Sequence, residues 1–159
     1  MDFDFSTQGT NKILMIKYAV QILDDFPEVL KTSATSSEAE HLLQVQDNGK
    51  NKLPEEQAQD FHYSVAQLLF LEMSARPDVL TLILLLTKRV REPDEDGWVK
   101  LKPCLKYLMG TRHMKLVLTI DSKHTIHWYM DASYGTRSNF QSSHRYDGGY
   151  GLRHSYEYV

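Results

Sequence analysis

The sequence predicts an α+β chain, with a helical N-terminal two-thirds followed by an antiparallel β-hairpin. Three observations carry this. Apolar residues recur at spacings of three and four through successive stretches up to Leu108, the mark of helices with one buried face. After Thr111 the period changes to alternation, the mark of half-buried strands. Composition, 42% apolar and 25% charged over 159 residues, is that of an ordinary folded chain with one core. These signals divide the chain into an N-terminal helix (1–31), a flexible linker (32–53), a helical connection region (54–112) and a β segment with an irregular tail (113–159).

The first helix is expected over residues 11–26, where Ile13, Ile16, Val20, Leu23 and Phe26 share a face. Pro27 stops it by barring its predecessor from helical geometry. The stretch from Thr32 to Lys52 is rich in Ser, Thr, Asn, Asp and Lys and reads as a tether. Pro54-Glu55-Glu56 opens a second helix, since proline suits a first turn and carboxylates suit its positive end. That helix offers Ala58, Phe61, Val65, Leu68 and Leu69 to a core. Arg76-Pro77-Asp78 restarts the chain as a third helix to about Val90. It is apolar nearly all round and is expected to be the most buried.

Asp94 is placed to cap a fourth helix carrying Trp98, Leu101, Leu105 and Leu108, with Gly110 as a left-handed terminator. Pro103 inside it removes one hydrogen bond and crowds the carbonyl of Val99. A kink or break is expected, at a cost of about 3 kcal/mol. Residues 115–120 and 126–131 then alternate around an Asp121-Ser122-Lys123 turn. Two strands alone are marginal in water, so this pair is expected to be weakly held.

Several function classes are disfavoured. A net charge of −3 argues against general attraction to nucleic acid, although Lys88, Arg89, Arg91, Lys102, Lys106 and Arg112 make the middle of the chain basic. With one cysteine, Cys104, there is no internal disulfide and no thiolate zinc site. The first residues lack the charged and apolar regions of a signal peptide. The longest apolar run, Val79 to Leu86, is less than half of the roughly 20 residues a membrane span needs. An intracellular chain, cytoplasmic or nuclear and not secreted, is expected. No membrane role and no small-molecule substrate are evident.

Four stretches, in order and spacing, resemble the copia-type retrotransposon polyprotein where reverse transcriptase joins ribonuclease H. Phe61 to Leu71 resembles the helix before its Arg-Pro-Asp signature, here Arg76-Pro77-Asp78. Trp98 through Leu105-Lys106-Tyr107-Leu108-Met109-Gly110-Thr111 resembles its Trp…Leu-x-Tyr-Leu-x-Gly-Thr helix and cap. Trp128-Tyr129-Met130-Asp131-Ala132-Ser133-Tyr134 resembles the first strand of its ribonuclease H domain, and Phe140-Gln141-Ser142-Ser143-His144 its next turn. The resemblance implies a truncated ribonuclease H-like β segment after a helical connection. The polymerase's paired aspartates would lie before Met1, and the remaining ribonuclease H carboxylates beyond Val159.

By this resemblance Asp131 is a vestigial catalytic residue and a Mg²⁺ ligand only in a completed site. The parent would cleave RNA in RNA/DNA hybrids with two Mg²⁺ ions and copy RNA into DNA. One aspartate holds Mg²⁺ weakly, and no periodic element places Asp147 or Glu157 beside Asp131. No cofactor and no independent catalysis are expected of this chain. The six basic residues named above are candidates for lying along a hybrid or template–primer backbone in the parent. A His124, His127 and Asp131 metal site fails on geometry. Strand residues three apart face opposite ways, and His127 and Asp131 are some 13 Å apart at ordinary strand rise. The alternative is a small helical binding module not involved in transposition.

Overall fold

The computed structural model describes residues 1–30 and 51–120, together with the strands at 127–133, 143–149 and 152–157. The elements run β1 (Asp2–Asp4), β2 (Thr10–Leu14), α1 (Ile16–Asp25), α2 (Glu55–Ala75), a 3₁₀ turn (Pro77–Val79) and α3 (Leu80–Thr87). They continue with α4 (Glu95–Gly110), β3 (Lys115–Ile120), β4 (His127–Ser133), β5 (Ser143–Gly149) and β6 (Leu152–Glu157). The class is mixed α+β, with helices in the middle and antiparallel strands after them, as the sequence predicts. The proposed tether and the Asp121-Ser122-Lys123 turn fall outside the described residues, apart from Asn51, Lys52 and Leu53.

The helical core follows the periodicity. Phe61, Val65, Leu68 and Leu71 of α2, Ile83 and Leu86 of α3, and Leu101, Leu105 and Leu108 of α4 are buried in one cluster. Fully burying each such side chain is worth about 1.5–3 kcal/mol, so this cluster is the main source of stability. Asp94 caps α4 as expected, its Oδ1 accepting from Gly97 N at 2.8 Å. A Cβ at position 97 would lie 3.2 Å from that Oδ1, 3.2 Å from Arg89 Cδ and 3.3 Å from the Phe61 ring, so glycine permits the close approach.

Four expectations are corrected. Residues 10–14 form a strand, and α1 starts only at Ile16; its inward face is Ala19 and Ile22, with Met15 and Phe26 at its ends. The expected Ile16, Val20 and Leu23 lie one position round, half-buried. The third helix is not the most buried: only Ile83 and Leu86 of α3 are fully inside, because its neighbours cover one side. The fourth helix runs unbroken through Pro103. Val99, whose carbonyl the ring deprives of a donor, is 61% exposed, so water can reach that face of the helix. Helix α4 ends at Thr111 (φ −117°, ψ 18°) without a left-handed Gly110. Among described glycines only Gly9 (φ +76°) is left-handed, in the turn between β1 and β2.

The sheet also has different neighbours from those expected. One four-stranded antiparallel sheet has the order β1-β2-β3-β6, and β4 pairs with β5 in a second, two-stranded sheet. Strand β3 therefore lies between β2 and β6 and not against β4. Its register sets Ile13 opposite Leu116, both buried on the helical core, and Leu116 opposite Tyr156. The tail read as irregular contains β5 and β6; its tyrosines have high strand propensity although the apolar alternation is poor.

A strand bonded on both sides opens only with the fold. Amides of Leu116, Val117 and Leu118 are accordingly expected to exchange as slowly as those of the α4 core, at rates approaching global unfolding. Hydrogen exchange as fast as in the edge strand β1 would show that one of the two pairings is missing.

Candidate functional site

The best-organised polar site is one that periodicity does not reveal. It starts with a chain break. Pro77 keeps Arg76 out of helical geometry, so α2 ends at Ala75 and Arg76 (φ −131°, ψ 57°) turns its backbone N–H to Leu71 O at 3.1 Å. The turn sends the guanidinium inward, where its side chain is only 3% exposed. Arg76 Nε donates to Asp78 Oδ1 at 2.9 Å and Nη2 to Asp78 Oδ2 at 2.8 Å, a bidentate pair. Arg76 Nη1 donates to Thr111 O at 3.0 Å and Nη2 to Thr111 Oγ1 at 2.7 Å.

The second half of the site comes from the end of α4. Tyr107 OH donates to Asp78 Oδ2 at 3.0 Å, and the Tyr107 ring stands 5.7 Å from the guanidinium carbon. Thr111 Oγ1 donates to Tyr107 O at 2.8 Å, which also satisfies a terminal helix carbonyl. Burial opposes the charge on Arg76, but the hydrogen bonds and charge of Asp78 more than offset it, and the guanidinium stays protonated. Below it, burial pushes the Cys104 thiol up to about 12, so the single cysteine is not a nucleophile at neutral pH. The cluster is charge-balanced, with four hydrogen bonds from the guanidinium and Asp78 as its counter-charge. Its chemistry is that of a lock between the start of α3 and the end of α4.

Two further clusters engage the basic middle of the chain. Arg89 is bound by Asp94 and Asp96, each at 2.6 Å, and Lys100 reaches Asp96 at 2.7 Å. Lys102 pairs with Glu28 at 2.8 Å, and Trp98 Nε1 donates to the same carboxylate at 2.9 Å. Of the six basic candidates, Arg89 and Lys102 are thus held by carboxylates that a phosphate would have to displace. Lys88, Arg91 and Arg112 are exposed and Lys106 is half-buried. Arg112 Nε donates to His113 Nε2 at 3.1 Å. The fold does not gather the six into one engaged group.

Asp131 stands in β4 opposite Arg145, while Asp147 stands opposite Tyr129, two residues along. The sequence places no acid near Asp131; the register brings Asp147 to the pair two along but sets an arginine position directly across. Glu157 belongs to the other sheet. Among the described residues no group of three or more His, Cys, Asp or Glu side chains is arranged to hold a metal ion. One aspartate facing an arginine position does not fit a two-Mg²⁺ centre, so no catalytic step is assigned to it.

Sequence reasoning quoted Arg76, Asp78, Tyr107 and Thr111 in two separate stretches but did not bring them together as a site. Their signal was present: an arginine held before a proline, and a tyrosine and threonine four apart at a helix end. Comparison of the chain with protein-family models, with curated proteins and with solved structures finds no match in any of the three.

Because the lock needs a planar five-donor fork, Arg76→Lys is expected to destabilise the fold by about 2–4 kcal/mol, near the cost of breaking a buried pair. Tyr107→Phe should cost only about 1 kcal/mol. Urea unfolding checks both, and equal losses would place the energy in Tyr107 packing and not in the ion pair. A second expectation concerns acid. Hydrogen bonds from Lys102 and then Trp98 hold the Glu28 carboxyl below its ordinary 4.5. A carboxyl depressed in the folded state contributes stability that is present above pH 4.5 and is lost as pH falls through the lowered value. Thermal melts should therefore show Glu28→Gln to be less acid-sensitive than the parent over that window; parallel curves would remove Glu28 from the account.

Proposed function

We propose that this chain is a segment of a copia-type retrotransposon polyprotein, comprising the helical connection after the polymerase and the opening strands of ribonuclease H, and that it does not catalyse by itself. The observation that supports this best is how two of the resembling stretches meet. Arg76-Pro77-Asp78 and the Tyr107 to Thr111 helix end are some thirty residues apart in sequence, yet the side chains of Arg76 and Asp78 hydrogen-bond to each other and to Tyr107 and Thr111. Such interlocking gives a physical reason for the two to occur together: neither side chain set is satisfied without the other. The role that follows is mechanical, a rigid joint that fixes the start of α3 to the end of α4, from which the strand segment departs.

In this reading RNA-directed DNA synthesis and Mg²⁺-dependent cleavage of RNA in hybrids belong to the parent protein. Asp131 would be a ligand only where further carboxylates complete the site. A hybrid or template–primer would be met through the exposed Lys88, Arg91 and Arg112. No helix among the described residues is long and apolar enough to cross a membrane.

The test is the DNA and transcript on both sides of this reading frame, combined with a nuclease assay. Expected are an upstream frame with the polymerase's paired-aspartate turn and downstream frames with the missing carboxylates. Also expected is no cutting of an RNA/DNA hybrid by micromolar protein in Mg²⁺. A transcript lacking both flanks would overturn the origin; hybrid cleavage abolished by Asp131→Asn would overturn the absence of catalysis.

A further inference from the structure

Helix α2 has a second stripe that the core does not use. Tyr63, Ala66, Phe70 and Met73 recur at spacings of three, four and three on its outer side, the repeat of a helix–helix seam. Tyr63 and Phe70 are each 54% exposed and Met73 is 77% exposed. Isolated exposed apolar residues need no explanation, but a periodic run on a helix of 21 residues, about 31 Å long, does. Aromatic residues and methionine are also the types enriched where proteins meet. Tyr18 of α1 extends the stripe sideways, its ring edge-on to Phe70 at 5.3 Å.

Charge decides what fits there. The stripe runs at its N-terminal end into exposed Glu55 and Glu56. On the α1 side the rim carries Asp25, whose Oδ2 accepts from Gln67 Nε2 at 2.8 Å, with exposed Asp24 beside it. A second copy does not suit this pattern. Laid parallel, it would set Glu55 and Glu56 against themselves; laid antiparallel, it would set them against Phe70 and Met73. An anionic lipid surface would be repelled. A helix with an apolar stripe and a basic end answers both the seam and the rim.

We propose that the outer face of α2 is a docking site for an amphipathic helix of a partner protein, its apolar stripe on Tyr63, Phe70 and Met73 and its lysine or arginine end against Glu55 and Glu56. The seat is preformed on a rigid element, so binding orders the partner alone. Docking in this way does not rest on a transposon origin: Tyr63, Ala66 and Phe70 lie within the Phe61 to Leu71 stretch, but only their spacing and exposure enter the argument.

The probe is a fluorescein-labelled 18-residue helical peptide with leucines at seam spacing and lysines in its last two turns, titrated with the full chain by anisotropy. Micromolar binding is expected, weakened at least tenfold by Met73→Glu and at least threefold by Glu56→Lys, with helicity by circular dichroism unchanged in both variants. A matched peptide carrying glutamates for lysines should bind at least threefold more weakly. Absence of binding, equal binding of the two peptides, or unchanged affinity in Met73→Glu would each overturn the proposal. So would sedimentation showing that Met73→Glu abolishes self-association of the chain, which would assign the face to a second copy.

Discussion

A buried positive charge is the constraint on which much of this structure depends. Arg76 is placed by Pro77 at the point where α2 must stop, and once inside it cannot be left unpaired. Asp78 supplies the counter-charge within the same turn, and the end of α4 supplies the remaining acceptors through Thr111. The hydrophobic cluster around Phe61, Leu68, Leu86, Leu101 and Leu105 provides most of the stabilisation. Apolar contact is non-directional, however, and leaves the helices free to slide or rotate. The hydrogen-bonded fork fixes one arrangement, because four directed bonds can be met in only one pose.

The same logic extends to the other charges. Read along the chain, Arg89, Lys100 and Lys102 look like a basic run waiting for an anion. In the fold each has a carboxylate, and those carboxylates come from both near and far: Asp94 and Asp96 from the start of α4, Glu28 from beyond α1. Backbone hydrogen bonds and the Glu28 pair also fasten segments outside the helices. Residues 51–53 are stitched to the start of α4 by Leu53 N to Pro93 O and Glu95 N to Asn51 O, and Glu28 holds the chain after Phe26 against Trp98. A run of like charge in sequence therefore states nothing about the surface field until its partners are located.

Two chain regions distant in sequence make the main sheet. Residues 10–13 pair with 116–119, so the strand that follows the helices closes against one that precedes them. This closure gives β3 two neighbours and presses Ile13 and Leu116 onto the helical core. Loop-closure entropy over that separation must be recovered by this packing.

How much was legible follows from which interactions are local. The helices at 55–75 and 95–110, the Asp94 cap and the strand at 115–120 are written in short-range periodicity and capping chemistry, as are the inward Phe61, Val65 and Leu68 and the α4 set Trp98, Leu101, Leu105 and Leu108. Ala58 and Leu69, expected inward, are half-buried, and Leu71 takes the core place instead. The first strand pair was not read from the sequence, because the spacing of Ile13 and Ile16 imitates a helix face. Pro103 misled because its cost depends on whether the freed carbonyl of Val99 meets water, which only the fold decides. The strand order and the ionic lock were likewise set by tertiary structure. A backbone edge carries no address in its own sequence, and an arginine before a proline does not show which tyrosine and threonine will meet it. Local residues determine which elements form; burial, and the need to satisfy every charge and amide it encloses, decides how they are joined.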